Sequence, residues 1–354
     1  MATVPGGEID TSPDLSQIQK DLINKVFEFV GIDEGDLDVT ENSDGSLTLH
    51  QESDEKVVTD PSTGDDITID GAVDTGAFIF NGEQTGQIPT ASGNIEVTVA
   101  DDDAGVVGQF EFLSPTQGIS ASVDEAPTIS DDQKAYLLGA ALDNNADPVT
   151  LASISKAIDL LSQNGDGAPD DLMVGYVRFA LNPEDSTEVR VDASSVDSDV
   201  LLAARLLDMT NDSTLVLSGM EKVILVGAGN ARVDDSNGMM IVGDTTNQNI
   251  TGGDGADTLV GGGGEDTLTG GAGEDEFGFI AKGHYTVTDF TVGEDMLAFG
   301  IDGVDSVDDL LDGLVNVIQN DGNTTFDFGE NGSITLVGVD ASQLTEDMVK
   351  FTIG

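Results

Sequence analysis

The chain has no cysteine, no tryptophan and only two histidines, and its 12 Lys and Arg residues face 68 Asp and Glu. Each shortage removes a class of chemistry. Without thiols there is no disulfide framework, thiolate metal site or cysteine nucleophile. His50 and His284 lie far apart and neither belongs to an H-E-x-x-H helix, so a zinc-protease centre has no ligands. No serine sits in a G-x-S-x-G elbow, and neither a Walker loop nor a complete G-x-G-x-x-G occurs. Aromatic residues are limited to 14 Phe and 3 Tyr, too few for the stacking platforms of a sugar-cleaving cleft. Carboxylates are so abundant that no single pair stands out for glycosidase chemistry. The expectation is a protein that is not an enzyme.

Scarcity of basic residues leaves a formal charge of −56, which repels nucleic-acid phosphates and anionic lipid and makes both poor partners. No stretch approaches the length and apolarity of a membrane span. Yet 38% of the residues are hydrophobic and fall in periodic runs, so a wholly disordered acidic chain is excluded. The 354 residues suffice for two or three domains with a sizeable core.

What the chain does have is three tandem nonapeptides: Gly252-Gly-Asp-Gly-Ala-Asp-Thr-Leu-Val260, Gly261-Gly-Gly-Gly-Glu-Asp-Thr-Leu-Thr269 and Gly270-Gly-Ala-Gly-Glu-Asp-Glu-Phe-Gly278. They fit G-G-x-G-x-D-x-U-x, the pattern of calcium-binding parallel β-helices. Gly253, Gly255, Gly262, Gly264, Gly271 and Gly273 permit a tight turn that directs carbonyl oxygens to one point. Asp257, Asp266 and Asp275 add charged oxygens there, a hard donor set suited to calcium. Leu259, Leu268 and Phe277 point inward from the short strands that follow.

These repeats resemble the RTX family of secreted bacterial proteins, whose β-roll winds two nonapeptides into each coil. The resemblance implies that ions lie between turns separated by two nonapeptides, on the same edge of the roll. It makes Asp257 and Asp275 the one complete pair, and leaves Asp266 opposite Gln248 and His284 as a partial site. The segment Thr286–Leu297 resembles the stretch that closes such rolls, which adds Asp289 and Asp295 as further candidate ligands. It also implies type I secretion, since Met1–Gly7 has neither a basic nor an apolar leader region. The expected location is extracellular or at the cell surface.

Stepping back in nines from Ile250 reaches Ile241, Arg232 beside Val233, Val223, and Thr214 beside Leu215. The expected architecture is therefore mainly β with some helix: a C-terminal calcium-binding parallel β-roll or β-solenoid, preceded by small β and helical domains. Residues 1–35 should carry an amphipathic helix opened by Ser12-Pro13-Asp14 with apolar Leu15, Ile18, Leu22, Val26 and Phe29. Residues 36–125 read as a small β domain, with Leu37 and Val39 facing Leu47 and Leu49, and Ile95, Val97 and Val99 alternating. Residues 126–199 read as helical or mixed. One helix is expected from Ser130, and a second opens at Pro148 and carries Leu151, Ile154, Ile158 and Leu161. The Asn164–Asp170 loop lacks a full EF-hand ligand set.

A degenerate solenoid leading into the roll is expected over 200–300. A C-terminal cap and secretion signal are expected over 301–354, with a helix at Ser306–Ile318, strands near Thr324–Phe328 and Ser333–Val337, and a helix at Gln343–Lys350. Together these features predict an extracellular calcium-dependent structural protein, a surface-layer, filament or matrix subunit that forms a homo-oligomer, with cell-surface polysaccharide as a further candidate partner. The alternatives are a monomeric calcium-dependent adhesion or glycan-binding module, and a calcium-dependent hydrolase with a carboxylate site.

Overall fold

The computed structural model describes residues 2–4, 37–41, 47–59, 66–80, 84–89, 94–100, 106–113, 148–163, 173–180, 188–196, 200–206 and 213–354. Within them the eighth position of the nonapeptide sets the core. In one sheet Val223, Ile241, Leu259, Phe277 and Leu297 are successive neighbours across parallel strands. In the facing sheet Leu215, Ala231, Ile250, Leu268, Val287 and Leu336 form the matching column. All of them are buried. Because a nonapeptide supplies one strand and one turn, two nonapeptides close a coil: Met240 pairs with Thr258 and Thr258 with Glu276. Each coil advances by one strand spacing, about 4.8 Å.

The parallel stack extends further upstream than the expected start near residue 200. Strand 200–205 pairs parallel with 173–180, and 214–218 with 188–192. These early coils are longer than two nonapeptides, so the repeat's beat does not reach them. The beat also slips by one at Arg232; the residue in the column is Ala231, because the coil from Ala231 to Ile250 has one residue more than two nonapeptides.

Nor do the strands of the expected small β domain form a sheet of their own. Strand 106–113 pairs antiparallel with 173–180, and strand 94–100 with 188–192, so both sheets of the solenoid run on into them. The hairpin of 37–41 with 47–59 is present, with Val39 opposite Leu49 and Glu41 opposite Leu47. His50 lies in its second strand. Ile95, Val97 and Val99 are buried as the alternation predicts. The helices expected at Ser12 and Ser130 and the Asn164–Asp170 loop fall outside the described residues.

The helix expected at Pro148 is α1, Pro148–Gln163. It covers the outward face of the first sheet, which is apolar too: Ile224, Val242, Val260, Gly278 and Ala298 lie in register there. Ile154, Ala157, Ile158 and Leu161 pack on that stripe. The helix extends roughly 24 Å, enough to cross about five strands. Polar contacts fix it at both ends. Ser153 Oγ donates to Gly262 O at 3.4 Å and Lys156 Nζ to Ile280 O at 3.0 Å. Lys222 Nζ donates to Leu161 O at 3.0 Å, at the end where the helix dipole favours a cation.

The C-terminal cap differs from its sequence reading. The helix predicted for Ser306–Ile318 is only one short helix, α2, Val307–Gly313, capped by Ser306. Residues 316–320 form a strand instead, paired with 323–327. The turn residues Asp321 (φ 51°) and Gly322 (φ 84°) form a tight hairpin of the kind an Asp-Gly pair favours, and the β-branched Val315, Val317 and Ile318 suit a strand better than a helix. The predicted helix Gln343–Lys350 is two short 3-10 turns, Ala341–Gln343 and Glu346–Met348. Val349 and Lys350 then pair with Leu297 and Ala298. The strands 323–327 and 332–336 match their expected positions to within a residue.

Leu259 is fully buried between Ile241 and Phe277. Leu259→Ala is expected to cost about 2–5 kcal/mol of stability in denaturant titration, whereas Val337→Ala on the surface should stay within about 0.5 kcal/mol.

Candidate metal centre

Stacking of the turns explains their glycines. A Cβ added at Gly271 or at Gly273 would lie 2.2 Å from Gly253 O or Gly255 O of the turn above, and both residues have positive φ, 101° and 135°. The other four predicted glycines are equally confined. Gly253 faces Asp235 O, Gly255 faces Asn237 O, Gly262 faces Gly243 O and Asp244 O, and Gly264 faces Thr245 O and Thr246 O. Only hydrogen fits at these positions. The carbonyl oxygens so exposed line the spaces between turns.

The aspartates form ladders along the two edges of the stack. Asp257 Oδ1 accepts from Met239 N at 2.8 Å and its Oδ2 from Gly253 N at 2.7 Å. Asp275 Oδ1 accepts from Asp257 N, and Asp295 Oδ1 from Asp275 N, both at 2.9 Å. Asp295 Oδ2 accepts from Thr291 N at 2.7 Å. Asp295 thus continues the same column, which gives two consecutive Asp–Asp steps where the sequence offered one. Strict counting in nonapeptides missed it, because this coil is longer than two repeats and Met296 takes the place opposite Glu276.

On the other edge Asp266 Oδ1 accepts from Gln248 N at 2.9 Å. Its downstream counterpart is not His284, as the step of two nonapeptides predicted, but Tyr285; this coil has one extra residue and His284 falls opposite Glu265. His284 is exposed and hydrogen-bonds Ser333 Oγ at 2.9 Å. Asp289, the remaining candidate, clips the turn above from below: its two oxygens accept from Gly270 N at 2.8 Å and Gly271 N at 2.9 Å.

These carboxylates are buried, and Asp257, Asp266, Asp275 and Asp295 are all at most 3% exposed. Burial raises the pKa of all four above the ordinary aspartate value, to about 8 for Asp266 and about 6 for Asp275. Neighbouring carboxylates add to the rise, with Asp295, Asp257 and Asp289 all acting on Asp275. Asp266 Oδ2 and Gln248 Oε1 are buried without a hydrogen-bond partner.

Among the described residues no Lys or Arg forms an ion pair with these four aspartates. Buried like charges on one edge, and the orphaned Asp266 Oδ2 on the other, suit a bound cation. Among the described residues no three His, Cys, Asp or Glu side chains converge on one point. An ion here would therefore rely on backbone carbonyls plus one carboxylate from each stacked turn, a hard all-oxygen set that fits calcium. Asp257 with Asp275, and Asp275 with Asp295, are the residues that would hold it.

The pKa directions fix the sign of a pH effect. A carboxyl whose folded pKa is raised binds more protons folded than unfolded, so stability falls as pH rises through the interval. In chelator the protein should lose stability from about pH 4 to 6 through Asp275, and on to about 8 through Asp266. Calcium should suppress this decline, as thermal melts across pH would read. Asp257→Ala combined with Asp275→Ala should weaken calcium binding by at least about tenfold in calorimetry, whereas Asp308→Ala should leave it unchanged.

Residues 242–277 match the model of the RTX calcium-binding nonapeptide repeat, in four copies. No curated protein matches the chain. The solved structure of the extracellular lipase LipA from Serratia marcescens is similar at 14% identity and a TM-score of 0.22, over 44% of this chain and 38% of the lipase. The chain thus spans well under half the length of that enzyme, and a likeness at this level carries nothing about activity. Residues 242–277 are therefore a segment of RTX calcium-binding nonapeptide repeats, wound as a parallel two-sheet coil with stacked aspartate turns.

Proposed function

We propose that this chain is an extracellular structural protein that folds on calcium after export and then associates with further copies of itself, as a surface-layer, filament or matrix subunit. The observation that supports association is a sheet edge with no partner strand among the described residues. Strand 316–320 ends the second sheet, is exposed at every residue, and carries Val317 and Ile318 beside Val315, which is 69% exposed. An unpaired edge with apolar side chains is a template for another strand. If that edge meets a different surface of the next copy, the contact is head-to-tail and extends into a filament wherever its rotation does not close a ring.

Calcium links the two steps. Where the ion is scarce, the buried aspartates repel one another and the roll stays unwound. Where it is abundant, binding stabilises the fold by RT ln(1 + [L]/Kd), about 3–4 kcal/mol for one site at a few hundred times Kd. Neutralising part of a charge of −56 also lowers the repulsion between copies.

A second reading draws on an open polar groove of about 500 Å³ on the outer face of the second sheet, lined by Glu188, Thr214, Asn230, Arg232, Asn249 and Thr251. Such side chains can hydrogen-bond a glycan, and the chain would then be a monomeric adhesion module.

Sedimentation velocity with circular dichroism, stepping calcium from chelator to about 10 mM, separates the two. Gain of β-structure together with large species, with Val317→Lys abolishing the large species but not the folding, is the expected result. A folded calcium-bound monomer would sink the structural reading and favour the groove.

A further inference from the structure

The two repeats immediately upstream of Gly252 keep the nonapeptide frame but exchange its key residues. In Asp234–Val242 and Gly243–Thr251 the second position, elsewhere glycine, is Asp235 and Asp244. The sixth position, elsewhere aspartate, is Met239 and Gln248. The carboxylate now stands four positions earlier in the repeat, and its hydrogen bonds follow a new route. Asp235 Oδ2 accepts from Gly219 N at 2.7 Å and its Oδ1 from Asn237 N at 3.0 Å. Asp244 Oδ2 accepts from Gly227 N at 2.9 Å and its Oδ1 from Thr246 N at 2.9 Å. In both cases a carboxylate still reaches the N–H presented by the preceding turn, but from the second position.

At the vacated sixth position Gln248 supplies what an aspartate cannot, a donor. Its Nε2 lies 2.5 Å from Asp244 Oδ1, 2.8 Å from Thr246 Oγ1 and 3.3 Å from Gly227 O of the turn above. Thr246 Oγ1 donates to the same Asp244 oxygen at 2.6 Å. A side-chain amide thus gathers a carboxylate oxygen, a hydroxyl and an inter-turn carbonyl, the kinds of oxygen that a cation would otherwise gather. Met239 is simply buried, with no charge to neutralise.

We propose that Gln248 with Asp244 forms a built-in latch that replaces the ion in its turn, so that the coils upstream of Gly252 wind without calcium and present a finished edge on which the coils of 252–295 wind when calcium arrives. This rests on the calcium-gated folding argued above for the downstream coils. It divides the solenoid at Gly252 into a metal-independent template and a metal-dependent extension. On one side of that division Asp235 and Asp244 each accept two backbone N–H bonds and Asp234 pairs with Arg190; the Asp257, Asp275 and Asp295 column lies on the other.

The test is hydrogen–deuterium exchange on the full chain in chelator and in calcium, with calorimetric ion counting. In chelator, amides of 214–248 should exchange at least about tenfold more slowly than those of 258–279, and calcium should bring the second group to the level of the first. If both segments are equally unprotected in chelator, the latch is wrong. If 258–279 is fully protected in chelator while 214–248 is too, calcium-gated folding fails but the metal-free template stands.

The variant Asp244→Gly with Gln248→Asp restores the downstream glycine at the second position and aspartate at the sixth. It should bind one more calcium ion than the parent and make protection of 240–248 depend on calcium. An unchanged ion count with protection retained in chelator overturns the proposal, and the parent's own exchange pattern remains decisive if the variant does not fold.

Discussion

Parallel coils stacked one strand apart bring the same residue of every repeat into register, and wherever that residue is aspartate, buried negative charges are placed next to one another. This is the constraint from which the rest of the structure follows. The core columns from Leu215 to Leu336 and from Val223 to Leu297 gain from being in register, because identical spacing stacks apolar side chains. The Asp257, Asp275 and Asp295 column is penalised by the same geometry. One oxygen of each carboxylate accepts a backbone N–H from the preceding turn, but an N–H neutralises no charge. Burial then raises their pKa values, the signature of charged groups short of a counter-ion.

Sequence and geometry agree most closely where the period is strict. From Met240 to Gly278 each strand, each inward apolar residue and each turn glycine could be placed from the nonapeptide alone, since two repeats close a coil. Where a coil gains a residue or two, counting fails even though the physics persists. His284 took the place of Tyr285 on paper, and Asp295 ranked below Asp257 though it occupies the same column. The roles of Asp235, Asp244 and Gln248 were hidden for another reason. A carboxylate four positions from its usual place makes an equivalent contact, and only the stacked turn above reveals which N–H it serves.

In the cap, two local signals competed. Apolar residues between Ser306 and Ile318 fit a helical spacing, but Asp321-Gly322 is a hairpin turn and β-branched residues precede it, and pairing with 323–327 decided the outcome. The joined sheets upstream were illegible for a broader reason. Composition and alternation announce strands, but nothing local to 94–100 or 106–113 states that their partners lie far along the chain, at 188–192 and 173–180.

Helix α1 gives the stack a property that coils alone lack. A solenoid whose turns touch only their neighbours can fray one turn at a time from its end. Here a single rigid rod lies across several turns at once, pinned to Lys222 through Leu161 at one end and to Gly262 and Ile280 at the other. Loss of the turns under its N-terminal half would strip Ile154 and its neighbours of the surface they cover, so fraying there also bears the cost of uncovering the rod. The helix acts as a batten across the Gly252 junction, tying the turns beneath its N-terminal half to the coils upstream and giving the wound state a longer lifetime than its ion contacts alone would provide.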